Sequence, residues 1–366
     1  MFGSSIGNIF KITTWGESHG KAVGVVVDGC PAGLPLSEED IQIFLNRRKP
    51  GQSPYATPRN EDDQVEILSG VFEGRTTGTP ISMMVWNKTA RSADYSEIAS
   101  YYRPGHADYT FDEKYGFRDY RGGGRSSGRE TIGRVAAGAI ASKFLNTLGI
   151  RLHAYTSSIG SVAIDENRKD FSDIFNNPLN MPDKEAALQA EQLLQEMMAN
   201  KDSVGGTIDC EITGLPSGIG DPVFEKLDAN LAKAIMSIGS VKGVEIGDGF
   251  QVTSAFGSEN NDAFYIKDNK VTKKTNHAGG ILGGISDGSP IYLRAAIKPT
   301  PSIFQTQQTV NKDGENIDIQ IKGRHDPVIV PRAVVVVESM AAITVMDALL
   351  ANMTSRMDHI VKFYKG

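Results

Sequence analysis

Alternating apolar and polar residues recur in short runs along this chain, and they predict strands with one covered face. In Thr207–Thr213, with the sequence TIDCEIT, every second side chain is apolar, which matches the two-residue period of a strand. Other runs share this strand-like composition. The strand-like runs are Ile6–Thr14, Ala22–Asp28, Gln64–Ser69, Pro80–Trp86, Gly205–Thr213, Gly249–Phe256 and Pro290–Lys298.

Helical periodicity replaces this alternation in five places. In Asp183–Asn200 the apolar side chains recur on one helical face. Asp221 followed by Pro222 is typical of a helix start, and so is the capping-box spacing of Ser127 and Glu130. The remaining two are a segment that begins at Ser37 and the apolar stretch Arg332–Met357, interpreted as a mixture of strand and helix.

The order of these elements predicts the fold class. Strands outnumber helices and rarely alternate with them one for one, which favours an α+β fold with largely antiparallel sheets and helices packed between or against them. The length of 366 residues accommodates one large domain or two halves that meet near residues 150–200. No low-complexity linker divides the chain.

Composition and charge exclude several classes of protein. The net charge of −6 provides no overall basic surface for nucleic acid. The first residues lack the basic start and apolar core of a secretory signal, and no uncharged run approaches the ~18 apolar residues of a membrane span. Cys30 and Cys210 are too far apart in sequence to indicate a disulfide framework, so we expect a cytoplasmic protein.

The motif GESHG at residues 16–20 matches G-x-S-x-G, the nucleophile elbow of serine hydrolases. That elbow requires a helix after the serine, whereas the β-branched sequence KAVGVVVDG that follows predicts a strand. A glycine-bounded turn is the plainer interpretation. A third is that His19 donates a proton, since an imidazole pKa of ~6.5 suits proton transfer near neutral pH.

An arginine-rich stretch, residues 103–134, predicts an anion site. Three glycines precede Arg125, Ser126 and Ser127 at a helix start, where backbone N–H groups and guanidinium groups both bind anions. Arg129 and Glu130 stand where a Walker A loop has Lys and Ser or Thr, which argues against ATP binding. An RGG-type RNA contact and a solvated arginine-rich face remain the alternatives.

Glycines and basic residues recur in the C-terminal half, in NHAGGILGG (276–284), KPTPSI (298–303) and GRHDP (323–327). These glycines do not form G-x-G-x-x-G after a strand, which argues against a Rossmann site. Lys298, Thr300, Ser302 and Arg324 suit a second phosphate. Together the motifs predict a site for polyanionic small molecules in which two histidines and one aspartate handle protons, and they do not name the reaction.

In combination, the motifs resemble the chorismate synthase family. GESHGKAVGVVVDGCPAGLPL, RPGHADYT, RDYRGGGRSSGRET, NHAGGILGG and GRHDP follow one another in that family's order and spacing, from Gly16 to at least Glu338. No fused flavin-reductase segment is visible. The resemblance implies a single domain over residues 1–366, a β-α-β sandwich and a homotetramer.

The resemblance also implies a reaction. In that family, 5-enolpyruvylshikimate 3-phosphate loses phosphate and a ring proton by anti-1,4 elimination and becomes chorismate, in the shikimate pathway of aromatic amino acid biosynthesis. Reduced FMN is required although there is no net redox change, because an electron passes transiently to the substrate. An external reductant supplies the reduced flavin.

Residue roles follow from the matched motifs. His19 resembles the histidine that protonates the departing phosphate, His106 the one that protonates the reduced flavin, and Asp326 the acid that assists the proton relay. The implied substrate contacts are Ser18, Arg48, Arg103, Ser127, Arg129 and Arg324. The implied flavin contacts are Arg125, Ser126, Ser127, Gly239, Ser240, Gly283, Lys298, Pro299, Thr300, Pro301, Ser302 and Arg324.

Three departures from the family pattern affect these expectations. Pro54 stands where many members have a second loop arginine, so the anion contact there is weaker or passes to Arg59. Gly239 and Ser240 replace a common Asn-Ala pair, and Pro301 replaces a serine. The resemblance leaves two other hypotheses to test: a serine hydrolase, from GESHG, and a nucleic-acid-binding protein, from RGGGR.

Overall fold

Two five-stranded antiparallel sheets form most of the β-structure. The computed structural model describes residues 3–51, 54–55, 62–88, 97–321 and 326–366. The strands are β1 (Ser5–Ile6), β2 (Lys11–Gly16), β3 (Ala22–Asp28), β4 (Val65–Ile67), β5 (Val71–Phe72), β6 (Arg75–Thr76), β7 (Ile81–Trp86), β8 (Arg151–Ile159), β9 (Val162–Ala163), β10 (Gly206–Thr213), β11 (Val241–Ile246), β12 (Phe264–Lys267), β13 (Lys270–Lys273), β14 (Ile281–Leu282), β15 (Ile285–Ser286), β16 (Ile291–Ile297), β17 (Thr306–Val310) and β18 (Asn316–Gln320).

Helices lie between these strands in the chain. The α-helices are α1 (Glu38–Arg48), α2 (Asp108–Tyr115), α3 (Thr131–Thr147), α4 (Lys184–Ala199), α5 (Leu227–Met236), α6 (Gly257–Asn260), α7 (Val330–Asn352) and α8 (Met357–Lys365). Short 3₁₀ turns at Gly124–Ser126 and Gly128–Glu130 lead into α3. The mixture of helices and antiparallel sheets confirms the predicted α+β class.

The strand order brings distant segments to one edge. The first sheet has the order β1-β2-β3-β7-β4, and the second has the order β11-β16-β10-β8-β9. In the first sheet Gly16 pairs with Val23, and Ala22 pairs with Trp86. The turn between β2 and β3 therefore lies beside the end of β7, which positions the GESHG motif next to residue 87.

Helices α3 and α7 pack against each other at the centre of the fold. Helix α3 also contacts β2, β3 and β7, whereas α7 contacts β8 and β10. The two helices approach closely at Gly138, where an added Cβ would lie 2.2 Å from the Cβ of Ser339. Among the described residues, α7 is the helix long and apolar enough to cross a membrane, but most of it is buried, as expected for a core helix.

Several predicted elements were wrong. Gly249–Phe256 is not a strand: residues Gly249–Ser254 form a 3₁₀ helix, because Asp248 and Val252 accept local backbone bonds in place of a partner strand. Asp221 caps no helix, since Val223 has a φ of +69° and α5 starts only at Leu227. Arg332–Met357 contains no strand, and its first part belongs to the single helix α7.

Candidate functional site

The histidine turn (residues 17–20) connects β2 to β3. The Gly20 N–H donates to the Glu17 carbonyl over 3.1 Å, which closes a β-turn with Ser18 and His19 at its centre. The Ser18 Oγ lies 3.2 Å from His19 Nδ1. Since strands flank this turn on both sides, it lacks the helix that a nucleophile elbow requires, and the serine hydrolase hypothesis loses its structural basis.

The glycine-rich loop reaches the histidine turn at Gly122. This residue has a φ of +84°, and an added Cβ would lie 2.5 Å from the Cε1 of His19. Glycine is therefore required at position 122 for two reasons: the backbone has a positive φ, and the His19 imidazole leaves no space for a side chain. The structure thus brings His19 and the predicted anion-binding loop into direct contact.

Arg125 anchors that loop to the first sheet. Its guanidinium donates to the Gly16 carbonyl over 3.1 Å, to the Thr14 carbonyl over 3.1 Å and to the Thr14 hydroxyl over 2.7 Å. The Ser126 hydroxyl donates within the loop, to the Gly123 carbonyl. These side chains bind protein atoms here, and their implied contacts with flavin stay predictions.

The predicted capping box does not form. Ser127 caps the short 3₁₀ turn by accepting from the Arg129 N–H over 3.3 Å. Glu130 instead accepts from the Thr14 hydroxyl over 2.7 Å and from the Arg134 guanidinium over 2.8 Å. A buried contact with β2 has therefore displaced the local bond that the spacing predicted.

A buried carboxylate joins two of the predicted substrate arginines. Asp63, whose side chain is 0% exposed, accepts from Arg48 over 2.7 Å and from Arg129 over 2.9 Å. Arg48 also donates to the Gly128 carbonyl over 3.3 Å. Burial lowers the pKa of Arg48 and the Asp63 charge opposes that change. Two guanidinium groups and one carboxylate leave a net positive charge, which suits an anion.

A second carboxylate holds Arg103. Asp108 accepts from Arg103 Nε and Nη2, each over 2.8 Å, and from the Arg103 backbone N–H over 3.0 Å. Arg118 lies 2.7 Å from the same carboxylate. Burial alone would raise the pKa of Asp108, but the Arg103 bonds and charge lower it to about 2. Asp108 is thus an anionic anchor and not a proton carrier.

His106 is held by one hydrogen bond on each ring nitrogen. Its Nδ1 lies 3.0 Å from the Pro104 carbonyl, which can only accept, so Nδ1 carries the proton in the neutral ring. Its Nε2 lies 3.0 Å from the Ser302 hydroxyl. Burial, followed by the Arg103 charge, lowers the pKa of His106 to about 4. The imidazole is therefore neutral at pH 7.

The segment Lys298–Ser302, named the flavin segment because the resemblance implies flavin contacts there, packs against the loop that carries His106. The Lys298 ammonium donates to the Gly105 carbonyl over 2.8 Å, and the backbone N–H of Lys298 donates to the Ser240 carbonyl over 2.9 Å. Pro301 faces Gly105, where an added Cβ would lie 2.7 Å from the proline Cβ. The proline that replaces the family serine therefore has a packing role in this chain.

Two features of the implied flavin contacts are compatible with a bound ligand. Among the described residues, the buried Oγ1 of Thr300 lacks a hydrogen-bond partner, which is unusual for a buried hydroxyl. An added Cβ at Gly239 or Gly283 would meet none of the described atoms within 4 Å, so neither implied flavin contact is packed against the described part of the chain. An unsatisfied hydroxyl and two open glycines are compatible with the flavin that the resemblance implies.

Asp326 lies beside an arginine that the sequence analysis missed. Arg332 Nη1 donates to the Asp326 carboxylate over 2.8 Å, and Arg332 Nε donates to the Arg48 carbonyl over 3.3 Å. This chain of contacts links the predicted relay acid to the Arg48–Asp63–Arg129 group. Arg59 and Arg324 lie outside the described residues.

A cavity of about 300 Å³ lies beside the histidine turn, and it differs in character from the predicted site. Trp15, Met84 and Trp86 contribute to its lining, together with Glu17 and Lys21. Of the predicted catalytic histidines and substrate arginines that the structure describes, none lines this cavity. This cavity therefore does not provide the arginine-rich surroundings that a polyanionic ligand requires.

A family model for chorismate synthase matches residues 10–350. The chain belongs to the chorismate synthase family. A chorismate synthase from Agathobacter rectalis is 71% identical over 100% of both chains. One from Methanosarcina barkeri is 56% identical and covers 96% of this chain and 97% of its own length. A solved structure, described as a crystal structure of chorismate synthase, has 31% sequence identity and a TM-score of 0.77 over 98% of this chain and 97% of that one.

Membership of the chorismate synthase family confirms the resemblance that the motifs indicated. The corresponding activity is that of a lyase in the shikimate pathway. The sequence analysis did not identify the acids that anchor its arginines. Asp63 occurs in the run EDD, which is typical of a surface loop, and Asp108 occurs in a weak H-x-D pattern. The position of Asp108 within the arginine-rich stretch was a signal for that acid, whereas Asp63 lies outside the motifs.

Proposed function

We propose that this chain converts 5-enolpyruvylshikimate 3-phosphate to chorismate by anti-1,4 elimination of phosphate and a ring proton. The observation that carries the proposal is the 3.0 Å contact between Ser302 and His106 Nε2. It joins an implied flavin contact to the histidine implied to donate a proton to flavin, although 196 residues separate them in the chain. Such a contact is expected if both groups serve one cofactor.

The residues that would hold reduced FMN are those implied by the family motifs. Ser240, Gly283 and the flavin segment offer backbone groups, a hydroxyl and an ammonium group. When bound, the reduced flavin supplies an electron transiently to the substrate and so assists the departure of phosphate. The protein's own task is to bind both molecules, exclude water and control the protons.

His106 acts as the proton carrier beside the flavin segment. The ring is neutral, with its proton on Nδ1 and its lone pair on Nε2. A pKa of about 4 does not suit a proton donor at neutral pH. Negatively charged ligands nearby would raise that pKa, because an opposite charge stabilises the imidazolium. His106 therefore becomes an effective acid only when the site is filled.

His19 acts as the proton donor to the departing phosphate. Its turn lies against the glycine-rich loop, and Arg48 holds the adjoining residue Gly128 through its carbonyl. The guanidinium groups stabilise the phosphate and the carboxylates of the substrate. Asp326 assists the proton relay and keeps Arg332 in place.

The remaining family properties complete the proposal. The chain folds as one domain over residues 1–366, with the helices layered between the two sheets as a β-α-β sandwich. It assembles as a homotetramer in the cytoplasm and receives reduced flavin from an external reductant. The contacts of α3 with the first sheet and of α7 with the second support the layered arrangement.

An anaerobic assay tests the proposed function. Protein, photoreduced FMN and 5-enolpyruvylshikimate 3-phosphate are mixed, and chorismate and free phosphate are both measured. We expect the two products in equal amounts, and no reaction when reduced FMN is omitted or replaced by oxidised FMN. Phosphate release without chorismate, or chorismate formation without reduced flavin, would refute the proposal.

A further inference from the structure

We propose that Asn87 is a positioning residue that holds the histidine turn and Arg129 in one fixed arrangement. Asn87 follows β7 directly and lies outside every motif that indicated the family. The inference rests on the proposed function for the roles of His19 and Arg129. The contacts themselves do not depend on that function.

On one side, Asn87 donates hydrogen bonds to both ends of the histidine turn. Its Nδ2 donates to the Glu17 carbonyl over 2.9 Å and to the Gly20 carbonyl over 2.8 Å. Its backbone N–H donates to the Lys21 carbonyl over 3.0 Å. A single residue therefore fixes where the chain enters and leaves the turn, and so fixes the two central residues between those ends.

On the other side, Asn87 orients a predicted substrate arginine. Its Oδ1 accepts from Arg129 Nε over 2.5 Å. Arg129 Nη1 donates to Asp63 over 2.9 Å and Nη2 to the Trp86 carbonyl over 3.4 Å, so all three guanidinium nitrogens are held. Carbonyls only accept and guanidinium groups only donate, so this environment permits one orientation of the amide. Aspartate, which lacks the NH₂ donors, cannot replace it.

This arrangement matters because His19 and Arg129 are proposed to act on the same substrate. A proton donor and an anion clamp are effective only at the correct separation, and an error of ~1 Å can cost about 10²-fold in rate. The asparagine side chain has few rotatable bonds, so a movement of the turn and a movement of Arg129 are coupled through it. Removal of the Asn87 side chain should therefore let both the histidine turn and the Arg129 guanidinium move.

The first test is a double-mutant cycle with the full-length protein. We expect Asn87→Ala to lower kcat by about 10- to 100-fold in the wild-type background. In the His19→Ala background the same change should lower kcat by a clearly smaller factor, because His19 is already absent and only the effect on Arg129 remains. Equal losses in both backgrounds, or no loss in the wild-type background, would overturn the proposal.

A second measurement does not require turnover. The NMR resonance of the His19 ring Cε1–H reports how well ordered the turn is, and it is compared between the wild-type protein, Asn87→Ala and Asn87→Asp. The aspartate variant keeps the side-chain size and the acceptor for Arg129 but loses the donors to the turn. Both variants should shift or broaden this resonance. Asn177→Ala is the matched control, because the Asn177 amide also bridges two backbone carbonyls but contacts no predicted site residue. An unchanged His19 resonance in both Asn87 variants would overturn the proposal, even if the wild-type protein made no chorismate.

Discussion

Buried carboxylates hold the arginines of the candidate site. Asp63 forms ion pairs with Arg48 and Arg129, and Asp108 forms one with Arg103. Each acid compensates part of a positive charge that would otherwise be costly to bury, and it fixes the direction of the guanidinium group. The site therefore presents a limited positive charge with defined geometry, which suits a substrate with one phosphate and two carboxylates.

Replacement of Asp63 tests this role directly. Asp63→Asn leaves Arg48 and Arg129 buried beside each other without a shared countercharge, and we expect a loss of about 3–5 kcal/mol in the free energy of unfolding. Denaturant unfolding measures the change. Asp119→Asn is the control, because Asp119 pairs with Arg121 on the exposed surface and should matter little. Equal stability of the two variants would show that the buried pair is not an anchor.

The two predicted catalytic histidines should be essential for turnover. We expect His19→Ala and His106→Ala each to lose about 10²–10⁴-fold in kcat at saturating flavin while the protein stays folded, because each removes a positioned proton carrier. His359→Ala, in the exposed helix α8, should retain wild-type turnover. Near-normal turnover in either of the first two variants, with circular dichroism as the check on folding, would contradict the assignment.

The lowered pKa of His106 predicts a pH dependence of stability. The folded pKa of about 4 lies below the ordinary histidine pKa of 6.5, so between these values the unfolded chain binds a proton that the folded protein does not. Stability should therefore fall as the pH is lowered from about 6.5 to about 4. His106→Gln should reduce that fall, as measured by urea unfolding at several pH values. An identical pH profile would refute the neutral, buried state of this imidazole.

At the scale of elements, two strands and a glycine position the histidine turn. The β2–β3 hairpin fixes the turn on the first sheet, and Gly122 brings the arginine-rich loop against it. The sequence predicted β3 with its exact bounds, because its β-branched run is flanked by clear turn residues. It could not predict the contact between Glu130 and Thr14, which joins residues 116 positions apart and overrides a local capping preference.

A matched pair of glycine substitutions tests this arrangement. Gly122→Ala and Gly74→Ala both place a side chain at positive φ and should each destabilise the protein by about 1–2 kcal/mol. Only at Gly122 does the added Cβ meet the His19 ring, since the space at Gly74 is open. We therefore expect kcat to fall at least ~10-fold in Gly122→Ala alone. Equal turnover in both variants would show that the loop does not fix His19.

At the scale of the whole molecule, the sequence determined the fold class and the family but not the internal ion pairs. Alternation predicted antiparallel sheets, and long motifs indicated the family. Helix α7 begins the apolar stretch that was interpreted as a mixture of strand and helix. The valines at 334–337 favour a strand, but burial between α3 and the second sheet overrides that β-propensity. The partners of Arg48 and Arg103 depend on contacts that a surface-like acidic run and an isolated H-x-D do not reveal.

In the proposed reaction, the flavin assists an elimination and is not consumed. The most direct test starts with one equivalent of reduced FMN per subunit, under strict anaerobiosis, and excess 5-enolpyruvylshikimate 3-phosphate. Chorismate is followed by absorbance, phosphate by release, and the flavin by its spectrum. We expect many turnovers with equal amounts of both products and a flavin that is still reduced at the end. Product that stops at one equivalent, with the flavin oxidised, would contradict it.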